Sequence, residues 1–341
     1  GDMTGSISRC TQNTAFMEEW RKGWHPDRAR PKGASETVLI VGAGPTGLEA
    51  ALQAARRGYT VTLAEATTTL GGRVAKERTL PGLSAWGRVS DYRTGQLGPM
   101  PNVEIYRDSP LAPEDLLAMG ADHIAIATGA TWRRDAVARL HLHGVPTDPR
   151  MPLFTPDDLM AGLCPEDQTV TLYDDDHYYM GSVLAELLVQ KSNRVHFVTP
   201  AVKVAEWTDN TLEQGTIMRR LLELGVEIHL SKAPEAIGAK EVTLGCTWTG
   251  RQTTLPTEAV VHVTSRIPND QLFHATKALD WQAQGIRTLT LIGDAAAPGP
   301  IAWATYAGRT WAEGLDQPTQ GDTLTFRREI AALDPGPSLL P

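Results

Sequence analysis

The chain has 341 residues, room for about two domains at roughly 150 residues each. Lys and Arg total 32 against 40 Asp and Glu, a net charge of −8, which excludes a broadly basic surface for nucleic acid or anionic lipid. Apolar residues make up 41%, as in an ordinary globular protein, and no apolar run approaches the ~18–20 residues of a membrane span.

No basic, apolar leader opens the chain, so the expected compartment is the cytoplasm, with neither nucleic acid nor membrane as partner. Cys10, Cys164 and Cys246 lie far apart. Without a CxxC pair they make neither a disulfide framework nor a local four-cysteine metal site. Gly1-Asp2-Met3-Thr4 reads as a cloning remnant, and residues 1–34, which show no clean hydrophobic period, as a leader or linker.

The pattern changes at Thr37. Thr37-Val38-Leu39-Ile40-Val41 predicts a strand buried on both faces. Gly42-Ala43-Gly44-Pro45-Thr46-Gly47 follows, then an Ala/Leu-rich helix stopped by Arg56, Arg57 and Gly58. Tyr59 to Leu63 is the next strand, so the unit is βαβ. Strands are predicted at Val103–Tyr106 and His123–Ala127, with a short helix at Pro113–Gly120 between them. A second unit begins near Thr169: a strand to Tyr173, a helix over Ser182–Gln190, and a strand at Val195–Val198. A helix at Thr216–Leu224 and strands at Val226–Leu230, Glu241–Leu244 and Ala259–Thr264 follow. Thr288–Ile292 is the last strand and Pro300–Gly314 the last helix.

This order predicts an α/β fold of two Rossmann-like dinucleotide-binding domains, the second inserted in the first. The expected parts are residues 35–164 with 285–317 for the FAD- or ADP-binding domain and 165–284 for the insert. Residues 318–341 form a tail, and the weakly patterned Pro146–Pro165 is the expected crossing.

Gly42-x-Gly44-x-x-Gly47 has the context that gives a glycine fingerprint meaning: a buried strand before it, a helix after it and an acidic residue ending the next strand. Gly42 permits the turn, Gly44 admits the pyrophosphate and Gly47 lets helix and strand pack. The phosphate charge then meets the helix N-terminus. Glu65, with Ala66 beside it, is placed to accept the adenosine ribose hydroxyls. Gly71-Gly72-Arg73 brings a loop toward the phosphates, with Arg73 to pair with them; a surface turn is the plain alternative. Thr128-Gly129 ends a strand with small residues, which serve either packing or a nucleotide passing close by. Gly293 allows close approach, and Asp294 either meets a ribityl chain or the phosphate region or simply caps a helix or closes a turn.

The corresponding loop of the second unit is Asp174-Asp175-Asp176-His177-Tyr178-Tyr179-Met180-Gly181. Its carboxylates would repel a dianion and its bulk would fill the pyrophosphate space, so NAD(P)H is not expected to bind there in the usual way. A solvated, helix-capping loop is the expectation, with a hard-cation site as the rival reading. His141 and His143 are spaced to share one strand face, where they would form a metal pair; loop histidines are the alternative.

These signals in this order resemble the glutathione-reductase-like flavoproteins. The leader narrows the likeness. Cys10-Thr11-Gln12-Asn13 and Glu18-Glu19-Trp20-Arg21-Lys22-Gly23-Trp24-His25-Pro26 precede Val38-Leu39-Ile40-Val41-Gly42-Ala43-Gly44-Pro45. With Leu80-Pro81-Gly82-Leu83, Ala127-Thr128-Gly129-Ala130-Thr131-Trp132 and Gly293-Asp294-Ala295, the chain from Cys10 to Gly314 resembles the C-terminal half of the trimethylamine dehydrogenase family. That family includes dimethylamine and histamine dehydrogenases, betaine demethylases and, more distantly, 2,4-dienoyl-CoA reductase.

The resemblance implies an enzyme that oxidises a methylated amine or betaine at FMN in an N-terminal barrel. Electrons would pass through a four-iron cluster to an electron-transfer flavoprotein. Cys10 matches one of four cluster cysteines. A barrel needs ~250 residues, which this chain has no room for beside two nucleotide-type domains. The resemblance therefore implies a nucleotide-binding half or separate subunit, with the FMN-barrel half as partner and FAD or ADP as its own cofactor. An FAD-dependent NAD(P)H reductase and a non-catalytic ADP-binding docking module are the two rival readings.

Overall fold

A computed structural model describes residues 8–18 and 28–316. The remnant at residues 1–4, the leader motif from Glu19 to Pro26 and the tail at 318–341 lie outside the described residues.

The first half of the chain runs β1 (Thr37–Val41), α1 (Pro45–Arg56), β2 (Thr60–Ala64), α2 (Gly72–Glu77), α3 (Arg88–Leu97), β3 (Val103–Tyr106), α4 (Pro113–Ala118), β4 (His123–Ile126) and β5 (Ala130–Trp132). The middle runs β6 (Leu153–Phe154), α5 (Pro156–Met160), β7 (Thr169–Asp174), α6 (Tyr179–Gln190), β8 (Arg194–Val198), α7 (Gln214–Glu223), β9 (Glu227–His229), β10 (Lys232–Ile237), β11 (Glu241–Cys246), β12 (Gln252–Pro256) and β13 (Ala259–Val263). The chain closes with β14 (Arg266–Pro268), α8 (Gln271–Lys277), β15 (Thr288–Leu291) and α9 (Ile301–Gly314).

Two five-stranded parallel sheets result, ordered β15-β4-β1-β2-β3 and β6-β13-β7-β8-β9. β1 shows why its sequence reads as one continuous apolar run. Val38 and Ile40 pack into the α1 side of the sheet, while Leu39 and Val41 pack into a separate cluster with Leu116 and Ile126. Both faces are covered, so neither needs polar residues. Every residue of α1 from Thr46 to Ala55 is buried. Its alanines keep it slim between the sheet and α9. There a Cβ on Gly308 would stand 2.9 Å from the Ala50 backbone nitrogen.

A small antiparallel sheet, β10-β11-β12, covers one face of the second parallel sheet and shares a core with Tyr173 and Val198. The chain crosses between the two parallel sheets on an antiparallel ribbon: β5 outward, β14 back, with Trp132 opposite Arg266. This corrects the expected crossing. Pro146–Pro165 holds β6, which pairs with β13, and α5, whose Leu159 lies in the second core. At the other end, α8 packs Leu272 and Phe273 into the first sheet's cluster, ahead of the expected return at residue 285.

Two further expectations change. His141 and His143 lie in a loop, so no strand face pairs them. The acidic loop is not solvated: Asp174 and Asp175 are 0% and 1% exposed. For Asp174 the reason is Gly181, which brings α6 so close that a Cβ there would lie 2.7 Å from the Asp174 carboxyl carbon. No helix among the described residues is long and apolar enough to cross a membrane.

Candidate functional site

In an open parallel sheet, a crevice forms where two neighbouring strands send their chains to opposite sides. Here that point lies between β1 and β4. The loops that leave them, Gly42–Gly44 and Thr128–Gly129, face a cleft of about 310 Å³. Eleven of the thirteen residues read from the sequence line it: Gly42, Gly44, Pro45, Thr46, Glu65, Ala66, Gly72, Arg73, Thr128, Gly129 and Asp294. Gly47 and Gly293 stand behind the wall. A Cβ on Gly47 would collide with the Gly42 carbonyl, and one on Gly293 with the Thr46 hydroxyl.

The glycine loop is built for close approach. Gly42 has φ +100°, and a Cβ on it would sit 2.5 Å from the Ala127 carbonyl oxygen. Gly44 differs: its φ is −73° and no atom lies within 4 Å of where a Cβ would be. Its freedom from side-chain bulk serves the cleft, not the backbone. Gly44 is the N-cap of α1, Pro45 follows it, and no side chain caps the helix. The N-terminal partial charge therefore faces the cleft.

Glu65 is 8% exposed and organises this loop. One carboxylate oxygen accepts from the Ala43 N–H at 2.8 Å, the other from the Thr67 N–H at 3.0 Å and the Thr67 hydroxyl at 2.9 Å. A carboxylate offers about four acceptor positions, so one remains.

Arg73 was expected on phosphates. Its guanidinium instead pairs with Glu77 at 2.9 Å and Asp294 at 3.3 Å. Asp294 also takes Arg266, and its second oxygen accepts from the Gly299 N–H at 3.0 Å. The Tyr179 hydroxyl donates to Glu77 at 3.1 Å. Burial pushes the Glu77 and Asp294 carboxyls up, while Arg73 pulls both down. This network closes one end of the cleft and separates it from a second cavity of about 730 Å³ lined by Trp132, Trp207 and Trp303.

Asn269 escaped sequence reasoning. Its backbone N–H donates to the Gly129 carbonyl at 2.9 Å and its side-chain amide to the Thr128 carbonyl at 3.2 Å. Ser109, Pro110 and Leu111 also line the cleft and were missed. Their only signal was their place just past β3. Cys10 is a free thiol that accepts from the Asn13 N–H at 3.4 Å.

Fold and cleft together define the class: an α/β protein of parallel sheets with a glycine loop and an acidic strand end at one cleft. Residues 37–95 match the FAD dependent oxidoreductase family, and residues 154–250 match the OYE-like second alpha/beta domain. Dimethylamine dehydrogenase of Hyphomicrobium sp. (strain x) is 32% identical across 97% of this chain and 48% of its own length. The structure of histamine dehydrogenase from Rhizobium sp. 4-9 superposes with a TM-score of 0.93 at 57% identity, over 98% of this chain and 52% of that one. That of 6-hydroxypseudooxynicotine amine oxidase from Pseudomonas geniculata N1 gives 0.88 at 42%, over 92% and 47%. The chain is homologous to the dimethylamine and histamine dehydrogenases and includes an FAD oxidoreductase region. It spans about half the length of these relatives.

Proposed function

We propose that this chain is the adenine-nucleotide-binding unit of a flavin-dependent amine oxidoreductase. The observation that carries the reading is the convergence of eleven anticipated residues on one cleft at the uncapped N-terminus of α1. In this reading the diphosphate lies over Gly44 and Thr46 and the ribose meets Glu65. Gly42, Gly47 and Gly293 keep the surrounding backbone close-packed. Bound FAD would supply a flavin for electron transfer; bound ADP would supply only structure.

ADP is the first reading. The carboxylate that would meet a ribityl chain, Asp294, already holds Arg73, Arg266 and the Gly299 N–H. A ribityl chain would compete with that network for Asp294, where about one acceptor position remains. FAD is the second reading, favoured by the family match over residues 37–95.

The two sheets are, in our reading, a glutathione-reductase-like pair. The insert spans about 133–265 between the ribbon strands β5 and β14. NAD(P)H is not the ligand expected for it, because Tyr178 and Tyr179 open α6 where a glycine loop would leave room for a pyrophosphate. The full enzyme would oxidise a methylated amine or betaine at FMN in a barrel half. Cys10 would serve as one of four cluster ligands, and electrons would pass to an electron-transfer flavoprotein.

The test is to denature the purified protein and identify the released nucleotide by chromatography. ADP supports the first reading. A yellow protein releasing FAD supports the second, and bleaching by NAD(P)H would contradict the proposed role of the insert. Neither nucleotide released, and neither bound when added, would defeat the nucleotide-binding proposal.

A further inference from the structure

We propose that His196, Glu227 and His229 form a transition-metal site on the second sheet, taking Zn²⁺ or another nitrogen-seeking divalent ion. The strand register assembles it. β8 and β9 are parallel, with His196 opposite Glu227 and Val198 opposite His229. Residues two apart on a strand share a face, so Glu227 and His229 project to the same side as His196. Phe197, between His196 and Val198, turns the other way into the core.

The donor atoms converge. His196 Nδ1 lies 3.2 Å from His229 Nε2 and 3.2 Å from Glu227 Oε2. All three donors lie within 4.8 Å of one another, and no other three His, Cys, Asp or Glu donors among the described residues do so. Ligands 2.0–2.1 Å from a tetrahedral zinc stand about 3.3 Å apart, so two of the three separations already match.

The surroundings fit a metal. Arg194 Nε donates to Glu227 Oε1 at 3.0 Å, which fixes the carboxylate and leaves Oε2 turned to the imidazoles. The Glu227 side chain is 43% exposed, so an ion has a way in and a water can complete the shell. Two imidazoles and one carboxylate select zinc, copper, nickel or cobalt over calcium or magnesium, which prefer all-oxygen shells. Arg194 and Lys232 nearby raise the electrostatic cost of any cation, so binding here rests on the imidazole and carboxylate ligands and not on local charge. A bound ion would fasten the three-residue edge strand β9 to β8.

The experiment uses untagged protein, stripped with chelator and titrated with Zn²⁺ and Co²⁺. Saturable binding of one equivalent is expected, with the intense visible bands of tetrahedral Co²⁺. Glu227→Gln, at an exposed position, should weaken binding by about tenfold or more, and His229→Gln should abolish the bands. Nucleotide binding should be unchanged in both, because the site lies away from the cleft. No saturable uptake, or equal affinity in the wild type and both variants, would overturn the proposal; two hydrogen-bonded imidazoles would then be the whole content of the cluster.

Discussion

Asp174 carries a burial cost that the rest of the molecule tolerates. Its carboxyl is fully buried, and one oxygen accepts from the His177 N–H at 3.2 Å while the other has no partner. Burial pushes it up to about 7, reinforced by Asp176 and opposed by His177. Between its ordinary value of 3.8 and about 7 the folded chain holds a proton that the unfolded chain releases. This group therefore stabilises the fold at low pH and loses that contribution as pH rises through about 7. The slope approaches ~1.4 kcal/mol per pH unit. Asp174→Asn should flatten the stability profile relative to wild type between about pH 4 and pH 7, measured by urea denaturation at each pH. An unchanged profile would show that Asp174 ionises as in water. The sequence suggested solvent for this residue because three consecutive acids rarely enter a core. The deciding partner, Gly181, lies seven positions on and makes contact only once α6 has packed. Gly42, Gly44 and Glu65 were legible because the turn, the helix start and the strand end that place them are local.

Among the elements, the leader segment is anchored more firmly than its composition suggested. Arg93 on α3 is fully buried and pairs with Glu49 on α1 at 2.6 Å. It also donates to the Thr11 carbonyl at 3.1 Å, and the Thr14 hydroxyl donates to Glu49 at 2.8 Å. Removing one partner leaves a buried charge alone. Arg93→Met should cost about 3–5 kcal/mol of unfolding free energy and expose residues 8–18 to protease. Wild-type stability with unchanged cleavage would refute the anchoring. Gly181→Ala should cost about 1–3 kcal/mol through overpacking against Asp174, read as a lower urea midpoint. The long strands and α1, α6, α7 and α9 were readable from apolar period and stop signals. α3 was not, because its arginine is buried and Gly95 interrupts it. β5, β6 and β14 are two or three residues long, too short to carry a period, yet β5 and β14 mark where the chain crosses. The spacing of His141 and His143 suggested a pair, whereas the histidines that meet lie 33 positions apart and are joined by strand register.

At the scale of the whole molecule, the central claim is that the cleft between β1 and β4 holds an adenine nucleotide over Gly44. Gly44 offers a clean test because its two possible roles separate. Its backbone is extended, a conformation any residue adopts, and nothing lies within 4 Å of a Cβ. A side chain there should leave the fold intact and obstruct the ligand. The measurement is calorimetric titration of nucleotide-stripped wild type and Gly44→Val with ADP, alongside urea unfolding of both. The account predicts unfolding free energies within about 0.5 kcal/mol of each other. It also predicts ADP affinity lowered by at least about tenfold in Gly44→Val, a loss of ~1.4 kcal/mol. Equal affinity in the two proteins, or no ADP binding by the wild type, would contradict it.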